Sequence, residues 1–507
     1  MILRHPKHRL LALVPLLAAG LAARNLAEFE KKVSEFTLGN GMHFLAIERP
    51  QAPVVSFHMH VNAGSADDPG GQTGLAHMFE HMIGKGTETI GSLNADLEKK
   101  TLAEVEQTWE KLDAEKRRGA RADPRLVQKL EAQYKLVASA ANQMVRPNMY
   151  VGIIERNGGV GFNASTSADS TTYHYSLPSN RMELWFLMQS EWLRRPVFRE
   201  FYKERDVVLE ERRRNIDSNP LGKLHETMMA TAFSAHPYRT LIGWASDVGN
   251  LRASQADRFY KTYYVPSNIT VAIAGDFRLA EVRQLAERYF GGLPAGPPPP
   301  APATVEPPQE GERRVTVESH SQPYLLIGYK RPNGRHADDP VFDVLAELLA
   351  GGRTGLLYRD LVRDRKISLE ADVETAVPGA KYPALFLITS APALGHSAAE
   401  NERAILDVIE RLRADKPEAA ALDRVKRKLR AGLLSQLDSN PGLAAQLAFY
   451  HTQYGTWKML FNGLDAIDKV KAEDVQRVAK QYLTATGRTV AWTVPATQPT
   501  PIGRTSR

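Results

Sequence analysis

Residues 71–86 read GQTGLAHMFEHMIGKG, and the order of residues in this run decides how the chain is organised. Leu75, Met78, Phe79 and Met82 recur at helical spacing, and Gly84 and Gly86 close the pattern. On that helix His77 and His81 stand at i and i+4, so both imidazoles project from one face about one turn apart. Two imidazoles so placed suit a single metal ion. Glu80 points to nearly the same side, where a carboxylate can take the proton of a water activated by that metal. The same pattern also fits an amphipathic helix with two hydrogen-bonded histidines, so the setting has to decide.

Upstream, residues 36–62 read FTLGNGMHFLAIERPQAPVVSFHMHVN, two β-rich runs joined by a proline-containing turn and leading into the histidine helix. His58 and His60 lie in the second run and read as packing residues. Downstream, Leu102, Val105, Trp109 and Leu112, then Val127, Leu130, Tyr134, Val137, Ala141 and Met144, repeat at three and four. With Gly119 and the capping pair Asp123-Pro124 between them, residues 96–146 read as an antiparallel helical hairpin. Its charge runs, such as Glu115-Lys116-Arg117-Arg118, read as solvated surface. Strand signals return at 161–177, followed by helices over 182–193, with Trp185 and Trp192 in its core face, and over 204–216. The turn Pro266-Ser267-Asn268 leads into a strand at 269–274.

The segment 291–309, GGLPAGPPPPAPATVEPPQ, reads as an extended, semi-rigid linker. Beyond it come a strand at 323–330 and helices over 341–349 and 356–365. A shift of 219 residues lays 251–272 on 470–491 without a gap, pairing Ala253 with Ala472, Arg258 with Arg477, Tyr263 with Tyr482 and Val271 with Val490. Two similarly folded halves are expected from this repeat.

Two histidines leave a metal site short of a ligand. The stretch ERDVVLEERRR offers Glu204, Glu210 and Glu211; Glu204 and Glu211 lie seven apart on one helix face, and Glu210 is turned about 100° away from Glu211. Either carboxylate of that face can complete the site while the other supports a ligating histidine.

At 507 residues the chain exceeds one core, and 43% apolar with 24% charged residues is an ordinary globular composition. Arg4, Lys7 and Arg9 account for three of its seven net positive charges, so the balance does not indicate nucleic acid. The absence of cysteine excludes disulfides and thiolate ligands, leaving histidine and carboxylate for any metal. The basic opening and the Leu10–Ala23 run interrupted by Pro15 read as a secretory signal over residues 1–23. A periplasmic or otherwise exported protein is expected, with no stable membrane span after signal removal.

The order GLAHMFEHMIGKGT, GFNASTSADSTTYHY, ERDVVLEE, HPY and YYVPSNITVAIAGDF closely resembles the pitrilysin/insulysin family of zinc peptidases, the HxxEH inverzincins. It is most like the shorter bacterial members similar to mitochondrial processing peptidase. The resemblance implies an α+β fold of two homologous α/β-sandwich halves, processing-peptidase-like, joined by a Pro-rich linker. The boundaries are then a first, zinc-binding half at 30–290 with the hairpin 96–146 inserted, the linker 291–309, a second half at 310–495 and a disordered tail at 496–507. It implies one Zn2+ per chain held by His77, His81 and Glu211, with Glu80 as general base and Glu204 as the second acidic residue of the third-ligand helix. A sheet edge at Phe162, Asn163 and Ala164 is implied to take extended peptide substrate by β-augmentation.

The chain departs from the family pattern in the second half. Active members carry an Arg and a Tyr seven apart after a Gly-rich turn; here Val362 and Leu369 stand at the expected places, and a shift by one gives Arg363 and Glu370. The reading is therefore a zinc endopeptidase acting on peptides or small unfolded proteins, as the HxxEH-bearing subunit of a heterodimer whose partner supplies the Arg/Tyr pair, or as a homodimer. Arg353, Arg363 and Tyr358 are the chain's own candidates for substrate holding. The alternative is a non-catalytic scaffold subunit that binds peptide or assembles with a partner.

Overall fold

The structure is a computed structural model and describes residues 29–240 and 242–495; the expected signal segment 1–23 and tail 496–507 lie outside the described residues. Strands β1 (Val33–Thr37), β2 (His43–Glu48), β3 (Val54–Val61), β4 (Val160–Thr166), β5 (Thr171–Pro178) and β6 (Ile269–Gly275) form one sheet in the order β1-β2-β6-β3-β5-β4. The run ITVAIAG of β6 is buried at every residue, as an uninterrupted apolar strand must be when both faces of its sheet are covered. It pairs parallel with β2 and antiparallel with β3.

Strands β7 (Arg313–Ser319), β8 (Leu325–Arg331), β9 (Ser368–Val377), β10 (Ala384–Pro392) and β11 (Arg488–Pro495) form the second sheet in the order β7-β11-β8-β10-β9. Here β11 takes the place of β6, parallel to β7 and antiparallel to β8. Apart from β1, the two orders correspond strand for strand. The 219-residue shift carries the helix Ala253–Tyr263 onto Ala472–Tyr482 end to end, and the first residue of β6 onto that of β11. The chain is thus α+β and built from two homologous halves.

The halves are interlocked. The helix Pro220–Ala232 of the first half puts Leu224, Met228 and Met229 against Leu326, Leu385 and Leu387 of the second sheet. The helix Asn440–Tyr454 of the second half puts Leu443, Leu447 and Ala448 against Leu45, Ile47, Ala272 and Ala274 of the first. Each sheet therefore has one face covered by a helix from the other half, and each fully buried side chain contributes about 1.5–3 kcal/mol. The two helices begin alike, Asp217-Ser218-Asn219-Pro220 and Asp438-Ser439-Asn440-Pro441, with side-chain caps from Asn219 and Ser439. Their offset is two residues longer than the gapless repeat, which hides the match in a fixed-shift comparison.

The hairpin forms as expected, from Ala95–Lys116 and Pro124–Asn142, with Asn94 and Asp123 accepting from the first free backbone N–H groups. Two elements differ from the sequence reading. The helix expected at 204–216 starts at Phe201 and stops at Arg212, widening into π-helical turns over Arg213–Asp217 because Pro220, with no N–H, begins a new helix. The helix expected at 356–365 is a 3-10 turn at Gly352–Thr354 and a π-helical stretch at Tyr358–Asp364. No regular element occupies 294–310, and among the described residues no helix is long and apolar enough to cross a membrane.

Candidate active site

The motif helix spans Leu75–Met82 and buries Leu75, Ala76, Met78, Phe79 and Met82, which leaves Glu80 and His81 at its accessible side. Gly74 opens it at φ 99, a left-handed conformation, in a place where a Cβ would meet Val248 Cγ2 at 2.7 Å. The Asp68 carboxylate accepts from the N–H groups of Gly74 at 2.6 Å and Ala76 at 2.9 Å, holding the start of the helix.

The helix Phe201–Arg212 faces the motif helix and brings both carboxylates to His81. Glu211 Oε2 lies 3.3 Å from His81 Nε2 and 3.9 Å from His77 Nε2, and one donor atom from each of the three residues falls within 4.8 Å of the others. The two rings are 5.0 Å apart and close to perpendicular at 79°, so their lone pairs converge instead of running side by side. Glu204 stands on the other side of His81, its Oε2 3.7 Å from Nδ1. Its second oxygen pairs with Lys85, which also reaches Glu200 at 3.4 Å. Glu210 points away and pairs with Arg213 at 2.7 Å. Two imidazoles and one carboxylate make a donor set that fits zinc and leaves a fourth position open.

The surroundings set the protonation of these groups. Burial, with the neighbouring His81, pushes His77 down to about 4, which keeps it neutral and able to ligate. Burial also acts to lower His81, but Glu204 and Glu211 outweigh it and hold this ring above its ordinary value. Burial would raise Glu204, yet hydrogen bonds from His81 and Lys85 keep its carboxyl below the usual range. Glu80 is raised by burial against a hydrogen bond from Thr166 and the charge of His81.

Phe162, Asn163 and Ala164 lie on β4, which pairs only with β5 and so ends the first sheet. Thr166 of the same strand donates to Ala76 O at 3.5 Å, which ties this edge to the motif helix. A cavity of about 220 Å3 opens beside His81 and is lined by Lys85, Arg146, Asn148, Glu200 and Glu204. In the second half Arg363 is spent on Asp364 at 2.6 Å, Arg353 is exposed, and Leu369 stands 59% exposed at the start of β9. Sequence reasoning missed Lys85, although its place four residues after His81 was a signal on the same face. His58 and His60 are residues of β3, with His58 stacked on His174, and Trp185 and Trp192 are buried.

The family model described as "Insulinase (Peptidase family M16)" matches residues 43–106 and 136–243, and that described as "Peptidase M16 inactive domain" matches 250–429. The chain belongs to peptidase family M16. The stretch that the first M16 model skips, 107–135, is the outer part of the hairpin. Among M16 relatives, "Zinc protease PqqE" of Helicobacter pylori is 26% identical over 497 residues, covering 96% of this chain and 98% of that one. The crystal structure of a protease from Helicobacter pylori superposes with a TM-score of 0.76 at 25% identity, over 92% of this chain and all of that one. The periplasmic protease PqqL of Escherichia coli shares the fold with a TM-score of 0.67 at 17% identity, and this chain spans 92% of its own length but 48% of PqqL.

Proposed function

We propose that this chain is a zinc-dependent endopeptidase that cleaves extended peptides or small unfolded proteins in an exported compartment. The observation that carries the reading is the convergence of His77 Nε2 and His81 Nε2 on Glu211 Oε2, with Glu80 on the same helix. His77, His81 and Glu211 would hold the metal, and Glu204 orients His81 through Nδ1. When bound, zinc supplies a Lewis acid that acidifies the attacking water and polarises the scissile carbonyl. Glu80 takes the water's proton on its carboxylate and delivers it to the leaving amine, and its raised basicity suits both steps. The free edge of β4 at Phe162, Asn163 and Ala164 receives the peptide backbone as an added strand.

The lack of the Arg/Tyr pair in the second half favours a subunit role, with a second family chain supplying substrate-holding groups. The basic, apolar opening of the sequence, together with the periplasmic PqqL among the structural neighbours, supports export. The test is hydrolysis of quenched fluorescent peptides by the purified chain, alone and with a copurified Arg/Tyr-bearing partner. Glu80→Gln should cut turnover by about 10²–10⁴-fold while leaving the zinc content unchanged. Turnover retained in that variant overturns the mechanism. Silence of the wild type under both conditions, with peptide binding retained, would instead favour the scaffold alternative.

A further inference from the structure

A second set of metal-type donors stands at the opposite end of the first sheet from β4. Glu35 lies on β1 and His43 on β2, and His451 reaches them from the helix Asn440–Tyr454 of the other half. One donor atom from each of the three falls within 4.8 Å of the others. His43 Nε2 is 3.1 Å from Glu35 Oε1. Both His43 Nε2 and His451 Nδ1 are buried without a hydrogen-bond partner. His43 Nε2 faces the Glu35 carboxylate, but a buried His451 Nδ1 left without a partner beside them is costly unless something occupies the space between the three groups.

The outer contacts of these residues are those of supported ligands. Glu35 Oε2 accepts from Trp457 Nε1 at 2.8 Å, which leaves Oε1 facing His43 Nε2. His43 Nδ1 pairs with Thr37 Oγ1 at 2.9 Å, which orients the ring and leaves Nε2 as the outward atom. The Glu35 side chain is 42% exposed, so water reaches the remaining coordination positions.

We propose that Glu35, His43 and His451 form a second cation site that clamps the two halves together. Two imidazoles with one carboxylate select a divalent first-row cation of the zinc class over magnesium or calcium, which favour all-oxygen sites. The His43 and His451 rings stack at 3.8 Å and 10°, so their lone pairs run nearly parallel. A tetrahedral cation with bonds of 2.0–2.1 Å needs its donors about 3.3 Å apart. Binding therefore requires His451 to tip off the stack and turn a ring nitrogen toward His43 and Glu35, whose donors already stand 3.1 Å apart. The first half supplies two ligands and the second half supplies one, with Trp457 holding the carboxylate. In sheet order the site lies at the β1-β2 end, away from the peptide edge, so its role is structural.

The experiment is zinc uptake by the metal-stripped full chain in competition with a chromophoric chelator. Wild type should take two equivalents. Glu35→Gln and His451→Gln should each take one, and so should Glu211→Gln, which loses the other site. In the Glu211→Gln background, added Zn2+ should raise the unfolding temperature, and it should no longer do so once His451→Gln is added. Glu35→Gln keeps the shape and the acceptor for Trp457, so it reports on binding even if the histidine variants fold poorly. If wild type takes one equivalent and Glu211→Gln takes none, the clamp is overturned and the peptidase centre stands. If the single equivalent survives Glu211→Gln and is lost in His451→Gln, the clamp stands and the peptidase centre falls.

Discussion

His81 is contested by two carboxylates, Glu211 at Nε2 and Glu204 at Nδ1, and their combined charge holds its ring above its ordinary value. Without metal the ring therefore keeps a proton to higher pH than a free histidine would, and under the proposed ligand set zinc would have to displace it. Zinc affinity should rise with pH through that raised range, and calorimetry in two buffers of different ionisation enthalpy should show proton release on binding. A pH-independent affinity with no release would remove His81 from the ligand set. Lys85 acts one contact further out, by neutralising the Glu204 carboxylate. Lys85→Met should weaken zinc binding by about 10–100-fold in a chelator competition, and unchanged affinity would show that Glu204 is held without it. At this scale the histidines and Glu80 were legible because a helical spacing states which side chains share a face. Spacing alone left Glu204 and Glu211 open, and only the family resemblance singled out Glu211, because the choice depends on how two helices more than a hundred residues apart are set against each other.

The segments between the functional helices are held by buried charge. Arg199 is fully buried and donates to the carbonyls of Lys85, Thr87 and Ile90 and, through Nε and Nη2 at 2.8 Å each, to the Glu98 carboxylate. The hairpin thereby fixes the loop that follows the motif helix. Glu98→Ala should destabilise the fold by about 3–5 kcal/mol, because it leaves the guanidinium buried without its counter-charge. The double replacement with Arg199→Met should recover much of that in urea unfolding, and a cost equal to the single variant would refute the pairing. Glu306 in the linker does similar work. It accepts from the N–H groups of Ser234, Ala235 and His236 at 2.9–3.0 Å, and although burial opposes it, these bonds and Lys330 hold its carboxyl down at about 2. Its folded value is depressed, so its contribution is present above the ordinary carboxylate range and is lost as pH falls toward 2. Glu306→Ala should cost about 1–3 kcal/mol at neutral pH and flatten the acid limb of the stability profile. The hairpin charges read as solvated from sequence, yet Glu98, Asp113 and Glu115 are buried, and Glu115 caps the turn by accepting from Asp123 N–H at 2.7 Å. Periodicity assigns a charged residue to a helix face, but the partner that covers it comes from elsewhere in the chain.

The repeat was legible where 219 residues separate equivalent positions, and it located the corresponding strand β11 and its preceding helix. The exchange of the helices Pro220–Ala232 and Asn440–Tyr454 was not, because 33 residues separate Pro220 from Ala253 and 31 separate Pro441 from Ala472, and a sheet's covering layer leaves no periodic trace of its origin. Residues 1–309 expressed alone should carry an uncovered apolar face over Leu45, Ile47, Ala272 and Ala274, bind a hydrophobic dye and aggregate, whereas coexpression with 310–507 should restore a soluble complex. A monodisperse, dye-silent first half would refute the interlock. The same exchange sets a timetable for biosynthesis. The last strand of the first sheet ends at Gly275, and the helix that covers it begins at Asn440. At about 5–20 residues per second, that interval keeps the growing chain waiting on the order of 10–30 s with its first sheet bare. An architecture of this kind leaves the face over Leu45, Ile47, Ala272 and Ala274 open to non-native partners until the second half has been made.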